Sequence, residues 1–324
     1  VPYDFSAGRP MTLDMERLIM PGDDTADERG PATDIDPRAL PAISARVDEF
    51  ALDNREFGEL EAEFERAPRG LVSSTLTTRD DSFTVTGEAG WVIDAYDETG
   101  QRTYLEATLN STNLPATAKR LAYDPGIISD ATQVRLDIGW AGGPRRDFLE
   151  VLSGEVSVRI GAGRLSDVDP GAGRMFGLMS VTALPRRLSL DVSDVFESGV
   201  GFDEIVGDFR LTDGNAYTCN LTLTGPAADV GIVGRAGLMD RDYDQAAIVS
   251  ANVGGTLPVA GLFLGGPQVA AALLVFSQLF KKPLKDMGQV FYTVQGSWDE
   301  PGVDSSDSQT FADISSRAGC LDPS

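Results

Sequence analysis

The sequence predicts a mainly β protein: a long antiparallel meander of hairpins with a few short helices near its C-terminal end. Apolar residues recur at every second position, at Leu60, Ala62 and Phe64, at Phe83 and Val85, at Leu105, Ala107 and Leu109, at Val134, Leu136 and Ile138, and at Val156, Val158 and Ile160. That is strand spacing, with one apolar face and one wet face. The alternate positions hold Glu61, Glu63, Glu106, Arg135, Asp137, Glu155, Ser157 and Arg159, as in an antiparallel sheet that meets water on one side. Turn signals, ETG at 98–100, GAG at 161–163 and TDGN at 212–215, separate the runs at short intervals.

Taken in order, residues 1–35 read as a linker or the end of a preceding module, because PGDDTADERGPATDIDPRALP (21–41) gathers Pro, Gly, Asp and Thr without apolar periodicity. The chain opens without a basic and apolar leader, so a longer precursor or a processed end is expected. Residues 36–301 form the main β body. Within it FGELEAEF (57–64) echoes FDEIVGDF (202–209), and the same offset brings Leu76 onto Leu221; two strands sharing an alternating pattern would look alike, or the sheet grows by repeated hairpin units. Helices are expected near 147–152 (DFLEVL), near 173–184, between Pro170 and Pro185, and near 268–282. Residues 302–324 read as a flexible acidic tail. The arginine pair Arg186–Arg187, after Pro185, is placed to pair with Asp191 or Asp194 at a helix-to-strand junction, or to hold a phosphate.

Composition excludes several function classes. A chain of 324 residues, 42% hydrophobic, can bury a substantial core. Its net charge of −23 argues against nucleic acid, which is bound by clustered Lys and Arg. The absence of His removes the usual Ser-His and Cys-His nucleophile systems and imidazole metal sites. Cys219 and Cys320 cannot make a disulfide framework; they are two buried or free thiols, or one bridge. No spacing singles out a glycosidase pair among the 50 acids. DRDYDQ (240–245) opens like a calcium loop, but Gln245 stands where the turn needs Gly and Ala251 where the bidentate Glu belongs. GAGRMFG (171–177) lacks the spacing and the Lys of a phosphate loop. No catalytic residue, metal ligand or cofactor is therefore assigned.

One stretch stands apart. LPVAGLFLGGPQVAAALLVFSQLFKKPLKD (257–286) closes a run with no charged residue between Asp244 and Lys281, and it holds three of the chain's four lysines. Pro258, Gly261, Gly265, Gly266 and Pro267 break the run, leaving Gln268 to Phe280 as one helix. Thirteen residues reach roughly 20 Å, short of the roughly 30 Å hydrocarbon core, so it should not span a membrane. Val269, Leu273, Phe276 and Phe280 form one stripe, and Lys281, Lys282 and Lys285 fall at the C-terminal end, where they suit the helix dipole and anionic headgroups. The helix either plugs the end of the sheet or docks on a membrane as a lid, with Leu262 and Phe263 beside it.

PGAGRMFGLMSVTALPRRLSLDVSDVFESGVGFDEIVGDFRLTDGNAYTCNLTLTGPAADVGIVG (170–234), followed by LPVAGLFLGGP and YTVQGSWDEP, resembles the C-terminal region of the YhdP branch of AsmA-like proteins. DPRALPAISARVDEFALDNREFGEL (36–60) resembles its module start. The resemblance implies an elongated, strongly curved antiparallel sheet, a β-taco or β-groove. It implies a longer protein in the periplasm of a Gram-negative bacterium, anchored to the inner membrane by an N-terminal segment outside this chain, bridging toward the outer membrane and carrying phospholipid without an enzymatic step. An envelope protein partner belongs to the alternative, an outer-membrane assembly or structural factor that binds a polypeptide along a sheet edge.

A curved sheet with one apolar face must bury that face on a second layer or fill it with something else. The pattern alone leaves an ordinary sandwich open. Acyl chains are a natural filler, since each buried methylene contributes about 0.8 kcal/mol. On this reading the groove is lined by Leu60, Phe64, Val134, Leu136, Ile138, Val156, Val158, Phe209, Leu211, Leu221, Leu223, Val230 and Ile232.

Overall fold

The computed structural model describes residues 10–20, 35–96, 99–123, 126–144, 148–165, 200–226, 228–251 and 289–320. Alternating sequence runs become strands: β1 (Met11–Met20), β2 (Ile43–Leu52), β3 (Arg55–Ala67), β4 (Gly70–Arg79), β5 (Phe83–Ile93), β6 (Gln101–Ser111), β7 (Ile127–Ser129), β8 (Thr132–Ala141), β9 (Ser153–Ile160), β10 (Gly163–Leu165), β11 (Val200–Phe202), β12 (Glu204–Thr212), β13 (Asn215–Thr224), β14 (Ala228–Gly237), β15 (Asp242–Ala251), β16 (Gln289–Ser297) and β17 (Gly302–Ser306). Among the described residues two helices accompany them, α1 (Leu114–Arg120) between β6 and β7 and α2 (Ser308–Arg317) after β17. The fold is mainly β, as the alternation predicts.

Fourteen strands form one unclosed sheet in the order β1-β2-β3-β4-β5-β6-β8-β9-β12-β13-β14-β15-β16-β17, and β11-β10-β7 form a small second sheet. Among the described strands only β1 and β2 pair in parallel. The remainder is a meander, and its turns obey local chemistry. At TDGN, Asp213 and Gly214 both take positive φ (49° and 68°), the geometry of a two-residue hairpin whose twist matches that of the strands.

Bulges bend the sheet. The register shifts between Ser73 and Leu76 in β4, and between Thr218 and Leu221 in β13. These positions are related by the offset that superposes FGELEAEF on FDEIVGDF, so the two halves share a strand irregularity as well as an alternating pattern. An extra residue on one strand raises local twist and curls the ladder. Strand approach is tight at such a bend: a Cβ on Gly234 (φ +128), opposite Thr218, would meet the Asp244 carbonyl oxygen at 2.4 Å. Only glycine fits there.

The core is split by face and by position. Its main cluster runs over one face from β8 to β17 and includes Val156, Ile205, Phe209, Leu221, Ile232, Ala247 and Val294. On the opposite face α2 lies over β14, β15 and β16, with Phe311 and Ile314 packed on Val233, Ala246, Ile248 and Phe291. A smaller cluster of Val47, Leu60 and Ala62 holds β2 to β3, with Met15, Leu18 and Phe64 packed against it.

Three sequence expectations are revised, and one that the sequence left open is settled. Residues 302–324 are not a flexible tail throughout, because β17 and α2 occupy 302–317; Asp307 caps α2 by accepting from the Thr310 amide (2.8 Å), and two large apolar side chains anchor it. The helix expected near 147–152 is a single 3-10 turn, Phe148–Glu150, since six residues are too few to offset helix nucleation. Within 1–35, residues 11–20 are not linker but β1, because Met15 and Leu18 find apolar partners on β2 and β3. Cys219 and Cys320 are bonded to each other (Cα–Cα 5.3 Å), which fastens the end of α2 to β13. The helices expected near 173–184 and 268–282 lie outside the described residues, as do Arg186 and Arg187.

Candidate functional site

Residues paired across a β ladder project to the same face, so the register traces which side chains share a surface. One row runs Val47, Leu60, Thr78, Val85, Leu109, Val134, Val158. A second runs Ala45, Ala62, Leu76, Gly87, Ala107, Leu136, Val156, Phe209. Leu105, Ile138, Gly154 and Leu211 form a third. Neither of the first two rows holds a charged residue.

The residues proposed to line a groove therefore share one face. Leu60, Val134, Leu136, Ile138, Val156, Val158, Phe209 and Leu211 lie in these rows. Phe64, opposite Ile43, packs against the Val47 cluster. Leu221 pairs with Ile232, and Leu223 with Val230, in the main core. Leu262, Phe263, Val269, Leu273, Phe276, Phe280, Lys281, Lys282 and Lys285 lie outside the described residues.

Burial along the face is uneven. From β4 to β9 Leu76, Val85, Leu105, Leu109, Val134, Leu136 and Val158 are half-buried, beside buried Ile138 and Val156, whereas on β12 Phe209 is 1% exposed and on β13 Leu221 is fully enclosed. Half-exposed aliphatic side chains in unbroken rows form an apolar surface that can take hydrocarbon; fully packed ones cannot without repacking.

Two tryptophans, which the alternation argument overlooked, border this surface at one end of the strands. Trp91 and Trp140 both pair with Thr103. Their indole N–H groups are satisfied within the protein: Trp91 Nε1 donates to Gln101 Oε1 (2.8 Å) and Trp140 Nε1 to the Gly143 carbonyl (3.0 Å). With their polar atoms satisfied, both rings present apolar surface at this border. The signal was present in the sequence, since both continue the inward parity of Ala89 and Ile138.

The opposite face is polar and acidic. Glu88, Glu106, Asp137 and Glu155 pair successively across four strands. They border a shallow trough of about 610 Å³, with Arg135 among the lining residues. Burial, reinforced by the charges of Glu88 and Glu106, pushes the Tyr104 phenol above its ordinary pKa. Carboxylates so placed repel a phosphate, so the trough is not a headgroup site. A second cavity of about 690 Å³ lies near Arg17, Glu49, Glu56, Asp80 and Arg120. Its arginines are already paired, Arg120 with Asp80 (2.8 Å) and Glu56, Arg17 with Glu49, and Arg79 with Glu61 (3.3 Å).

The calcium-like DRDYDQ stretch is a structural element. Asp242 accepts from Arg235 (2.6 Å) and Asp244 from Arg317 (2.8 Å), which fixes the start of β15 and the end of α2. Among the described residues no group of three His, Cys, Asp or Glu is placed to hold a metal ion, and no helix is long and apolar enough to cross a membrane.

The family model described as YhdP protein matches residues 2–303. The chain is 28% identical over 287 residues to the intermembrane phospholipid transporter YhdP of Escherichia coli (strain K12), an alignment covering 87% of this chain and 22% of that protein. The chain thus spans about a fifth of the length of the curated relative it matches. No solved structure matches. With the family match running through nearly all of the sheet, the chain belongs to the YhdP family.

Proposed function

We propose that this chain is a lipid-sheltering segment of an intermembrane phospholipid transporter, and that it works by exchange of apolar contacts without covalent chemistry. One observation carries the reading: from β4 to β8 the charge-free rows hold half-buried Leu and Val, among them Leu76, Val85, Leu109, Val134 and Leu136, which the described residues cover only in part. Acyl chains laid on such a face need no specific hydrogen bond, and each covered methylene contributes about 0.8 kcal/mol. The similarity to a phospholipid transporter supports the substrate class.

The Cys219–Cys320 bond supports an oxidising compartment, and the reading places this segment in the periplasm of a Gram-negative envelope, with the anchor to the inner membrane supplied elsewhere in the protein. The phosphate-bearing end of the lipid faces water beyond the rows, since the polar face is too acidic to hold it.

Native mass spectrometry of gently purified protein tests this directly. Copurified phospholipid that exchanges with added vesicles is the expected result. Lipid-free protein carrying a bound polypeptide would instead favour an assembly role.

A further inference from the structure

Leu136, Val156 and Phe209 stand side by side in one ladder row, yet the first is half-buried, the second 6% exposed and the third 1% exposed. The change from open surface to packed core takes place within two strand spacings. It recurs in the neighbouring row, where Val134 and Val158 are half-buried and Gly207, next in the row on β12, is buried. Past this line the core runs on without opening: Leu221, Ala247 and Val294 are at 0%, and Leu223 and Ile232 at 4% and 1%. Protein interiors at that density do not admit a chain of methylenes without displacing side chains.

We infer that the acyl path in this segment ends at β9, where Val158 is half-buried but Val156 is not, and that the sheet from β12 to β16 is a stop against which hydrocarbon abuts. This rests on the lipid-sheltering reading above. The surface in contact with acyl chains is then Leu76, Val85, Leu105, Leu109, Val134 and Leu136, with Trp91 and Trp140 as its border. Phe209, Leu211, Leu221, Leu223, Val230 and Ile232 hold the stop together and do not touch lipid. The occupant is hydrocarbon because no charged side chain stands in the two long rows. The dimensions agree: from Leu76 on β4 to Val158 on β9 the half-buried stretch covers four strand spacings, about 19 Å, while one leaflet of a bilayer is roughly 15 Å of hydrocarbon, half of the roughly 30 Å core. The open stretch takes the full length of a lipid's chains before the stop is reached.

Benzoylphenylalanine placed at position 109, 136, 209 or 223, in protein loaded from phosphatidylethanolamine and phosphatidylglycerol vesicles, reads the boundary. Lipid adducts at 109 and 136, and adducts at least tenfold weaker at 209 and 223, are expected. Equal adducts at all four positions would overturn the boundary while leaving lipid binding intact; adducts at none would overturn lipid binding and the boundary with it. Because a bulky group at 209 or 223 can disturb folding, a second measurement leaves the core untouched. Single-tryptophan proteins made by Trp→Phe changes are titrated with brominated phosphatidylcholine. Strong quenching of Trp91 and Trp140 and weak quenching of Trp298, which is buried in the packed half, supports the stop. Quenching of Trp298 as strong as that of Trp140 would overturn it.

Discussion

Arg317, in the last turn of α2, donates through Nη2 to both carboxylate oxygens of Asp244 on β15, at 3.1 and 2.8 Å. Gln295 on β16 adds a third hydrogen bond to the same carboxylate (3.0 Å). Partial burial pushes the Asp244 carboxyl up, but the hydrogen bonds from Arg317 and Gln295 and the charges of Arg317 and Arg235 outweigh it, so its pKa lies below the ordinary 3.8. A depressed folded pKa contributes stability above the unfolded value that is lost as pH falls through the folded one. Amide protection in α2 should therefore be steady from about pH 5 to 8 and decline below about pH 4. Arg317 is more than half exposed, so the step is worth only about 0.5–1 kcal/mol. Hydrogen exchange of Asp244→Asn should show the decline removed; a decline as large as in the parent would assign it to other groups.

The disulfide closes a far longer loop than any hairpin. Cys219 and Cys320 are separated by 101 positions, and a cross-link over about 100 residues contributes on the order of 4–5 kcal/mol in the chain-entropy account. Cys219→Ser with Cys320→Ser, or reduction with a thiol, should lower the Tm by on the order of 5–10 °C, read by calorimetry. An unchanged Tm would mean that the packing under α2 suffices without the bond.

That packing centres on Phe311, fully enclosed, whose ring meets Phe291 edge-on with centroids 5.6 Å apart. Phe311→Ala should cost about 3–5 kcal/mol in urea unfolding. Gln309→Ala, on the exposed side of the same helix, should stay within about 0.5 kcal/mol.

On the apolar face, Leu136→Asp puts a carboxylate in a row that contains none. Lipid occupancy should fall by about tenfold or more, measured by mass spectrometry after vesicle loading. Arg135→Gln, one residue along and on the opposite face, should keep occupancy within about twofold. Equal losses in the two variants would reverse the assignment of faces.

The strands and their faces were legible because period-two alternation is a local property. A slip of one position in β8 would turn Arg135 and Asp137 inward, and the pattern of Val134, Leu136 and Ile138 forbids that. α1 was not read. Its seven residues hold one large apolar side chain, Leu114, and its signals are short: Asn113, which caps it by accepting from the Ala116 amide (3.0 Å), Pro115 in the first turn, and Lys119 and Arg120 in the last. α2 was hidden by a run rich in Ser and Asp, although Phe311 and Ile314 fall three apart on one side. The parallel pairing of β1 and the partner of Cys320 depend on chain paths that no local pattern encodes. The candidate surface was half legible. Parity placed Leu136 and Phe209 on one face, but which of them is open depends on what packs over each, and that is a tertiary property.

Strand order in the large sheet follows chain order, which bears on how the molecule is made. Each new strand finds its neighbour already in place, except where β8 and β12 step past the short strands of the second sheet. Contacts between sequence neighbours form quickly, hairpins within about 1–10 μs, so the sheet can lengthen strand by strand as the chain emerges. Oxidation is slow by comparison, seconds to hours, and Cys219 has no partner until Cys320 arrives. The bond between them is therefore a record of assembly: a molecule that carries it has brought α2 back onto β13.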